Sequence, residues 1–209
     1  MKRAFALLLL LLFVATSSKG GGLQIVKIDT DHQSFVFSAA SGKPLMFRYW
    51  GARLSEEDAG AILSACGREK SWELYPAYGG ALYTNPALTL VHADGQLTTE
   101  LVFSSCHSRQ LDENRTETII VLQDKVLPLT VELRFTAFRQ QDIVMQSVTV
   151  RNREQGPVIV RQIASAFFSL KAMSYYLTHF HGSSNAEMWL KEELLTPGIK
   201  TIDSKKGVR

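Results

Sequence analysis

The sequence predicts an all-β protein, an antiparallel β sandwich with one short helix near residues 56–66. Apolar residues occupy every second position from Leu129 to Ala137, with Thr, Glu or Arg between them. Such alternation places one face of a strand on a core and the other in water. The run Ile143 to Val150 alternates in the same way, and Gly-Pro and similar turn residues separate the segments. Short strands at this spacing, with little helical period, are typical of antiparallel sandwiches.

The composition is that of a globular protein. The chain has 209 residues, of which 45% are hydrophobic, 10% aromatic and 21% charged, so a sizeable core is expected and disorder is not. Its formal charge of +3 includes Lys2 and Arg3, which stand in a separable leader. Nothing in this charge balance indicates a nucleic-acid partner.

The first 18 residues are predicted to be a signal peptide. Lys2 and Arg3 precede an apolar run from Ala4 to Ala15, and small residues follow at Thr16 and Ser17. The run is shorter than the roughly 20 residues that span a bilayer, so no stable membrane span is expected. We therefore expect export to the periplasm or the extracellular space after cleavage near Ser17, with residues 19–209 forming a β-sandwich domain.

Several elements are predicted before the regular strands. Residues 24–28 and 34–38 are expected to pair as a first hairpin, and Ser55 with the acidic residues after it suits a capped helix. Residues 72–86 are rich in aromatics, Gly and Pro, which indicates an ordered loop. Asp94-Gly95 between apolar segments predicts a hairpin of residues 88–91 with residues 97–103.

The closing stretch, residues 175–209, breaks the alternation and concentrates aromatics, charges and a Gly-Ser-Ser-Asn loop. Loops on a rigid scaffold often carry function. His179 and His181 lie on one side of a strand, but no third ligand is evident, so neither a metal nor any other cofactor is expected. The carboxylates here do not show the spacing of a glycosidase pair, and surface positions are the better interpretation for Glu187, Glu192, Glu193 and Asp203.

Aromatic residues are the other candidates for binding. We expect Trp50 to pack in the core, whereas Tyr75 and Tyr78, on either side of Pro76, suit sugar stacking and core packing about equally well. Cys66 and Cys106 are predicted either to pair or to remain two buried thiols, two alternatives that the sequence leaves open.

Several motifs together resemble the α-galactosidases of glycoside hydrolase family 36. The string Tyr-Pro-Ala-Tyr-Gly at 75–79 is the most specific, and it follows a Tyr-Trp-Gly strand motif at 49–51. Residues 133–138 are similar to the family's L-x-Y-T-A-Y strand. The closing stretch resembles the family's G-x-W-x-x-E loop from Gly182 to Glu187 and its E-S-R-R-G run at 203–207.

The resemblance implies an N-terminal β supersandwich, followed in the family by a catalytic (β/α)₈ barrel. No catalytic residue is assigned in this chain, which looks like a beginning whose barrel lies beyond it. The implied partners are a galactose-containing oligosaccharide and that barrel, and a homo-oligomer is left open. Substrate contacts are expected from two loops, at Tyr75, Tyr78, Gly182, Ser184 and Asn185. Ser184 departs from the pattern because the family has a tryptophan there.

The function implied by the resemblance is hydrolysis of terminal α-D-galactosyl residues with retention. Two alternatives stay open: a non-catalytic carbohydrate-binding module, and a relative of raffinose synthases or α-N-acetylgalactosaminidases.

Overall fold

The structure is a computed structural model that describes residues 22–65, 72–80, 85–170, 172–183 and 186–203. The predicted signal peptide and Cys66 lie outside these residues. The contacts divide the chain into two compact units, the first ending at Ser169 and the second beginning at Leu170. The predicted single domain over residues 19–209 stays a prediction.

The described part of the chain has one helix and twelve strands. They are, in chain order, β1 Gln24–Asp29, β2 Gln33–Ala39, β3 Met46–Ala52, α1 Glu56–Ala65, β4 Trp72–Glu73, β5 Leu88–Val91, β6 Leu101–Gln110, β7 Arg115–Asp124, β8 Leu129–Phe138, β9 Ile143–Asn152, β10 Ile159–Ile163, β11 Tyr176–Ser183 and β12 Ala186–Leu194. Antiparallel sheets therefore dominate, and the predicted all-β fold class is confirmed.

The first unit contains two four-stranded sheets, in the orders β1-β2-β3-β4 and β6-β7-β8-β9, and the smaller pair β5-β10. One core joins the two larger sheets. Phe37 of β2 is fully buried, and its ring lies 5.5 Å from that of Phe135 in β8. The alternation predicted for β8 is present, since Leu129, Val131 and Leu133 are buried while the residues between them are partly exposed.

The helix begins where the sequence predicts. The Ser55 hydroxyl accepts a hydrogen bond from the Asp58 backbone N–H at 3.0 Å and donates to the Asp58 carboxylate at 2.7 Å. This arrangement satisfies an N–H group that has no partner within the helix. No helix in the described residues is long and apolar enough to cross a membrane.

The turn predicted at Asp94-Gly95 is present, but the predicted pairing of the strands on either side of it is wrong. The turn itself forms, with Gly95 at φ +86° and its N–H donating to the His92 carbonyl. However, β5 pairs with β10, and the chain after the turn reaches β6 only at Leu101, where it pairs with β7. A local turn signal therefore did not determine the partner of the strand.

Trp50 also differs from the prediction, because its side chain is 43% exposed. Its ring stacks on Phe35 at 5.1 Å and lies 5.7 Å from Phe168, and its indole N–H donates to the Gln33 side chain. The tryptophan lies at the rim of the core rather than inside it. Burial raises the pKa of the Cys106 thiol to about 11. Because Cys66 lies outside the described residues, the two alternatives for this cysteine pair stay open.

Asp142 joins the β1–β2 turn to the β8–β9 turn. Its carboxylate accepts hydrogen bonds from the His32 backbone N–H at 2.9 Å and approaches the His32 Nδ1 at 2.7 Å. Hydrogen bonds from Thr30 and His32 lower the pKa of Asp142 to about 2. Asp142 has φ +52°, a conformation that Asn tolerates as well as Asp does.

We expect Asp142→Asn to lower the melting temperature at pH 5 but much less at pH 2. A carboxyl with a depressed pKa stabilises the fold above its unfolded value of about 3.9, and this contribution is lost as the pH falls through the folded value. Thermal unfolding of both proteins across that range measures the effect. A difference in melting temperature that is independent of pH would contradict the assignment.

Candidate functional site

The Tyr-Pro loop, residues 75–79, is held by backbone hydrogen bonds from two directions. The Tyr78 N–H donates to the Leu88 carbonyl at 2.9 Å, and the Thr99 N–H donates to the Tyr78 carbonyl at 2.8 Å. The Pro76 carbonyl accepts from the Ala87 N–H at 2.8 Å. The loop is therefore attached to the start of β5 and to the segment before β6, which fixes the backbone from which Tyr78 projects.

The two tyrosines of this loop have different environments. Tyr75 is 2% exposed, and its hydroxyl donates to the Ala164 carbonyl at 2.8 Å. Burial raises the pKa of Tyr75 to about 12, although the hydrogen bond to Ala164 acts in the opposite direction. Tyr78 is 47% exposed. Tyr78 therefore presents its ring to solvent, whereas Tyr75 is buried and anchors the loop through Ala164. Substrate contact by either tyrosine stays a prediction.

Gly79 is required by the close approach of Thr98. Its φ is +96°, and a Cβ added there would lie 2.6 Å from Thr98 Cγ2 and 2.9 Å from Thr98 Cα. Both the backbone conformation and the contact exclude a larger side chain. Thr98 and Thr99 thus position the Tyr-Pro loop, a role that no sequence motif marked.

We expect Tyr75→Phe to destabilise the protein by about 1 kcal/mol, because the Ala164 carbonyl loses its hydroxyl donor. Tyr78→Phe removes the same atom from an exposed ring and should change the free energy of unfolding by less than about 0.5 kcal/mol. Denaturant unfolding of the two variants measures both values. Equal effects would show that the hydroxyl of Tyr75 has no structural role.

The second predicted loop lies at the tip of the β11–β12 hairpin in the second unit. Gly182 belongs to β11, and the register pairs His181 with Trp189 and Ser183 with Ala186. Ser184 and Asn185 lie outside the described residues, so their predicted sugar contacts stay predictions. Met188, near the tip, has φ +61°, an unusual conformation for a residue with a side chain.

His179 and His181 lie on one face of this hairpin with ring centroids 6.1 Å apart. His179 Nε2 is 3.6 Å from Glu193 Oε1, which is too long for a hydrogen bond, and Lys200 Nζ is 2.8 Å from the same oxygen. The hydrogen bond from Lys200 lowers the pKa of Glu193. Within the described ranges, no three His, Cys, Asp or Glu side chains are placed to hold a metal ion.

The neighbouring carboxylates do not form a facing pair. Glu192 accepts a hydrogen bond from the Thr178 hydroxyl at 3.0 Å, whereas Glu193 is bound by lysine. Adjacent residues of a strand point to opposite faces, so these two carboxylates diverge. Their arrangement agrees with the surface interpretation made from the sequence.

The fold is that of an antiparallel β-sandwich domain. Residues 43–209 match the glycosyl hydrolase family 36 N-terminal domain. The chain belongs to this family, and the resemblance seen in the sequence is confirmed.

Proteins similar in sequence to this chain include α-galactosidases. The chain is 24% identical over 162 residues to the bifunctional alpha-galactosidase/sucrose kinase AgaSK of Mediterraneibacter gnavus, covering 68% of this chain and 17% of that enzyme. It is 24% identical over 147 residues to the alpha-galactosidase AgaA of Geobacillus stearothermophilus, covering 64% of this chain and 20% of that enzyme. The chain therefore spans about a fifth of the length of these relatives.

Solved structures share the fold. A crystal structure of AgaA from Geobacillus stearothermophilus in complex with raffinose superposes with a TM-score of 0.74 at 19% identity, over 88% of this chain and 30% of that one. The alpha-galactosidase from Lactobacillus brevis gives a TM-score of 0.73 at 19% identity, over 87% and 28% of the two chains. At this identity the likeness is evidence for the fold alone.

Proposed function

We propose that this chain is the N-terminal β-sandwich domain of an exported α-galactosidase that hydrolyses terminal non-reducing α-D-galactosyl residues of oligosaccharides with retention. The observation that carries the proposal is the family match over residues 43–209. The relatives named above, which are α-galactosidases, support the reaction class. The basic and apolar pattern of the first 18 residues supports export.

Within such an enzyme the chain would supply part of the wall of the sugar pocket, and the catalytic carboxylates would belong to a barrel. Tyr78 supports this role, because its half-exposed ring projects from a loop whose backbone is fixed at both ends. An aromatic face with a hydroxyl edge suits the C–H face and hydroxyls of a sugar. Gly182, Ser184 and Asn185 at the hairpin tip of the second unit stay the other predicted sugar contacts.

The proposed reaction is tested with the protein expressed from the full-length gene. Raffinose hydrolysis followed by proton NMR should show α-galactose as the first anomer formed, since a retaining enzyme passes through a covalent glycosyl intermediate. Tyr78→Ala should raise KM more than it lowers kcat, because it removes a positioning contact. Early appearance of β-galactose, or the absence of hydrolysis, would overturn the proposed reaction.

Export is tested separately by the mature N-terminus. Mass spectrometry of the protein recovered outside the cytoplasm should give a first residue close to Ser18. An intact Met1 on cytoplasmic protein would contradict export without affecting the proposed reaction.

A further inference from the structure

A polar cleft opens between the two large sheets of the first unit. None of its lining residues belongs to the Tyr-Pro loop. The volume of the cleft is about 350 Å³, which falls within the roughly 300–1,000 Å³ typical of small-molecule sites. One side is formed by β1, by Arg53 after β3 and by the first residue of α1, Glu56. The other side is formed by β6, β7 and β8.

The charges around the cleft are balanced. Lys27 lies between two carboxylates, with its Nζ 2.9 Å from Asp29 Oδ2 and 2.9 Å from Glu56 Oε1. Burial lowers the pKa of Lys27, but the hydrogen bonds to Glu56 and Asp29 outweigh it and the net pKa is raised, so the ammonium stays charged. Arg139 on the opposite side pairs with Asp31 at 3.0 Å.

Arg53 is the third basic residue of the cleft, and it takes part in neither of these ion-pair groups. Its backbone N–H donates to the His32 carbonyl, but its guanidinium has no partner among the described residues. A guanidinium carries five N–H donors in a planar fork. These donors are available at the mouth of the cleft, where the side chain is exposed.

The sheet on the other side supplies hydroxyls. Ser108 and Thr118 share a hydrogen bond of 2.8 Å between their oxygens, and Thr116 lies beside them on β7. Each hydroxyl donates one hydrogen bond and accepts up to two, so the bonded pair keeps unused capacity of both kinds. Thr118 is only 3% exposed, so the exposed Ser108 offers this capacity to the cleft. Ile28 and Ala137 also line the cleft, but they are 4% and 1% exposed and belong to the core.

This combination selects a class of ligand. The carboxylates Asp29 and Glu56 disfavour an anion, and the three basic side chains disfavour a cation. A neutral polyhydroxyl compound meets neither penalty, since its hydroxyls both donate and accept hydrogen bonds. We propose that this polar cleft is a second carbohydrate-binding site that takes one or two hexose units through Arg53, Thr116 and Ser108.

The cleft shares no lining residue with the sugar contacts proposed above, so the two proposals are separable by experiment. Raffinose is titrated into the ¹⁵N-labelled chain, and the amide and arginine Nε–H resonances are followed by NMR. We expect saturable shifts at Ile28, Arg53 and Thr116. Arg53→Ala should weaken the affinity at least about tenfold, and Thr116→Val, which keeps the side-chain shape, should weaken it severalfold.

Arg153→Ala is the matched control, because it removes an exposed arginine that does not line the cleft. It should leave the affinity unchanged. Three results would overturn the proposal: no saturable shifts in the cleft, equal affinity in Arg53→Ala and the control, or saturation by inorganic phosphate but not by raffinose. Hydrolysis of a small aryl α-galactoside by the full-length enzyme should be the same with Arg53→Ala, so a failure of the cleft and a failure of the proposed reaction are distinguishable.

Discussion

Phe37→Ala is expected to lower the free energy of unfolding by about 3–5 kcal/mol, which corresponds to roughly 10 °C in melting temperature. Phe37 is fully buried on β2, and its ring contacts Phe47 of the same sheet and Phe135 of the opposite sheet, with centroids 6.3 Å and 5.5 Å away. Truncation therefore leaves a cavity at the place where the two large sheets meet. Differential scanning calorimetry of the whole chain measures the loss.

Phe180→Ala provides the matched control, because it makes the same change at a ring that is 58% exposed. We expect a cost of no more than about 1 kcal/mol there, since most of that ring is already in water. Similar losses for the two variants would contradict a core centred on Phe37. Phe37→Leu, which keeps most of the volume, should recover a large part of the stability.

The fold class was predictable because its evidence is local. The alternation from Leu129 to Phe135 appears directly as the buried and partly exposed faces of β8, although Thr136 is buried as well. The Ser55 cap needs only residues three positions apart. The pairing of β5 with β10 was not predictable in this way. It joins Leu90 to Val160, across 70 positions of sequence, and the Asp94-Gly95 turn beside β5 favoured the nearer partner.

The sugar contacts of the two candidate loops stay predictions, and the burial of individual side chains in these loops was not predictable from the sequence. Tyr75 and Tyr78 flank the same proline, and no pattern in the sequence distinguishes a buried ring from an exposed one there. The distinction depends on the Ala164 carbonyl, which receives the Tyr75 hydroxyl from 89 positions away. Likewise, the contact of Thr98 with Gly79 depends on tertiary packing. The polar cleft combines residues from five separate segments, each of which is unremarkable by itself.

The 209-residue chain is expected to have no hydrolytic activity toward α-galactosides. A retaining glycosidase needs a nucleophile and a general acid about 5–5.5 Å apart across one sugar ring. Among the carboxylates considered in the sequence, Glu192 binds Thr178 and Glu193 binds Lys200, on opposite faces of β12. Neither is free to face a partner carboxylate across a substrate.

The measurement is the release of the aryl group from an aryl α-galactoside, with a no-protein blank and a family 36 enzyme assayed in parallel. We expect the chain to match the blank, because a pocket wall positions a substrate but supplies no proton and no nucleophile. Glu187→Gln and Asp203→Asn keep the size of each side chain and should therefore change nothing. Release above the blank that either substitution abolishes would mean that a catalytic carboxylate lies in this chain, and the assignment of chemistry to a barrel would then be wrong.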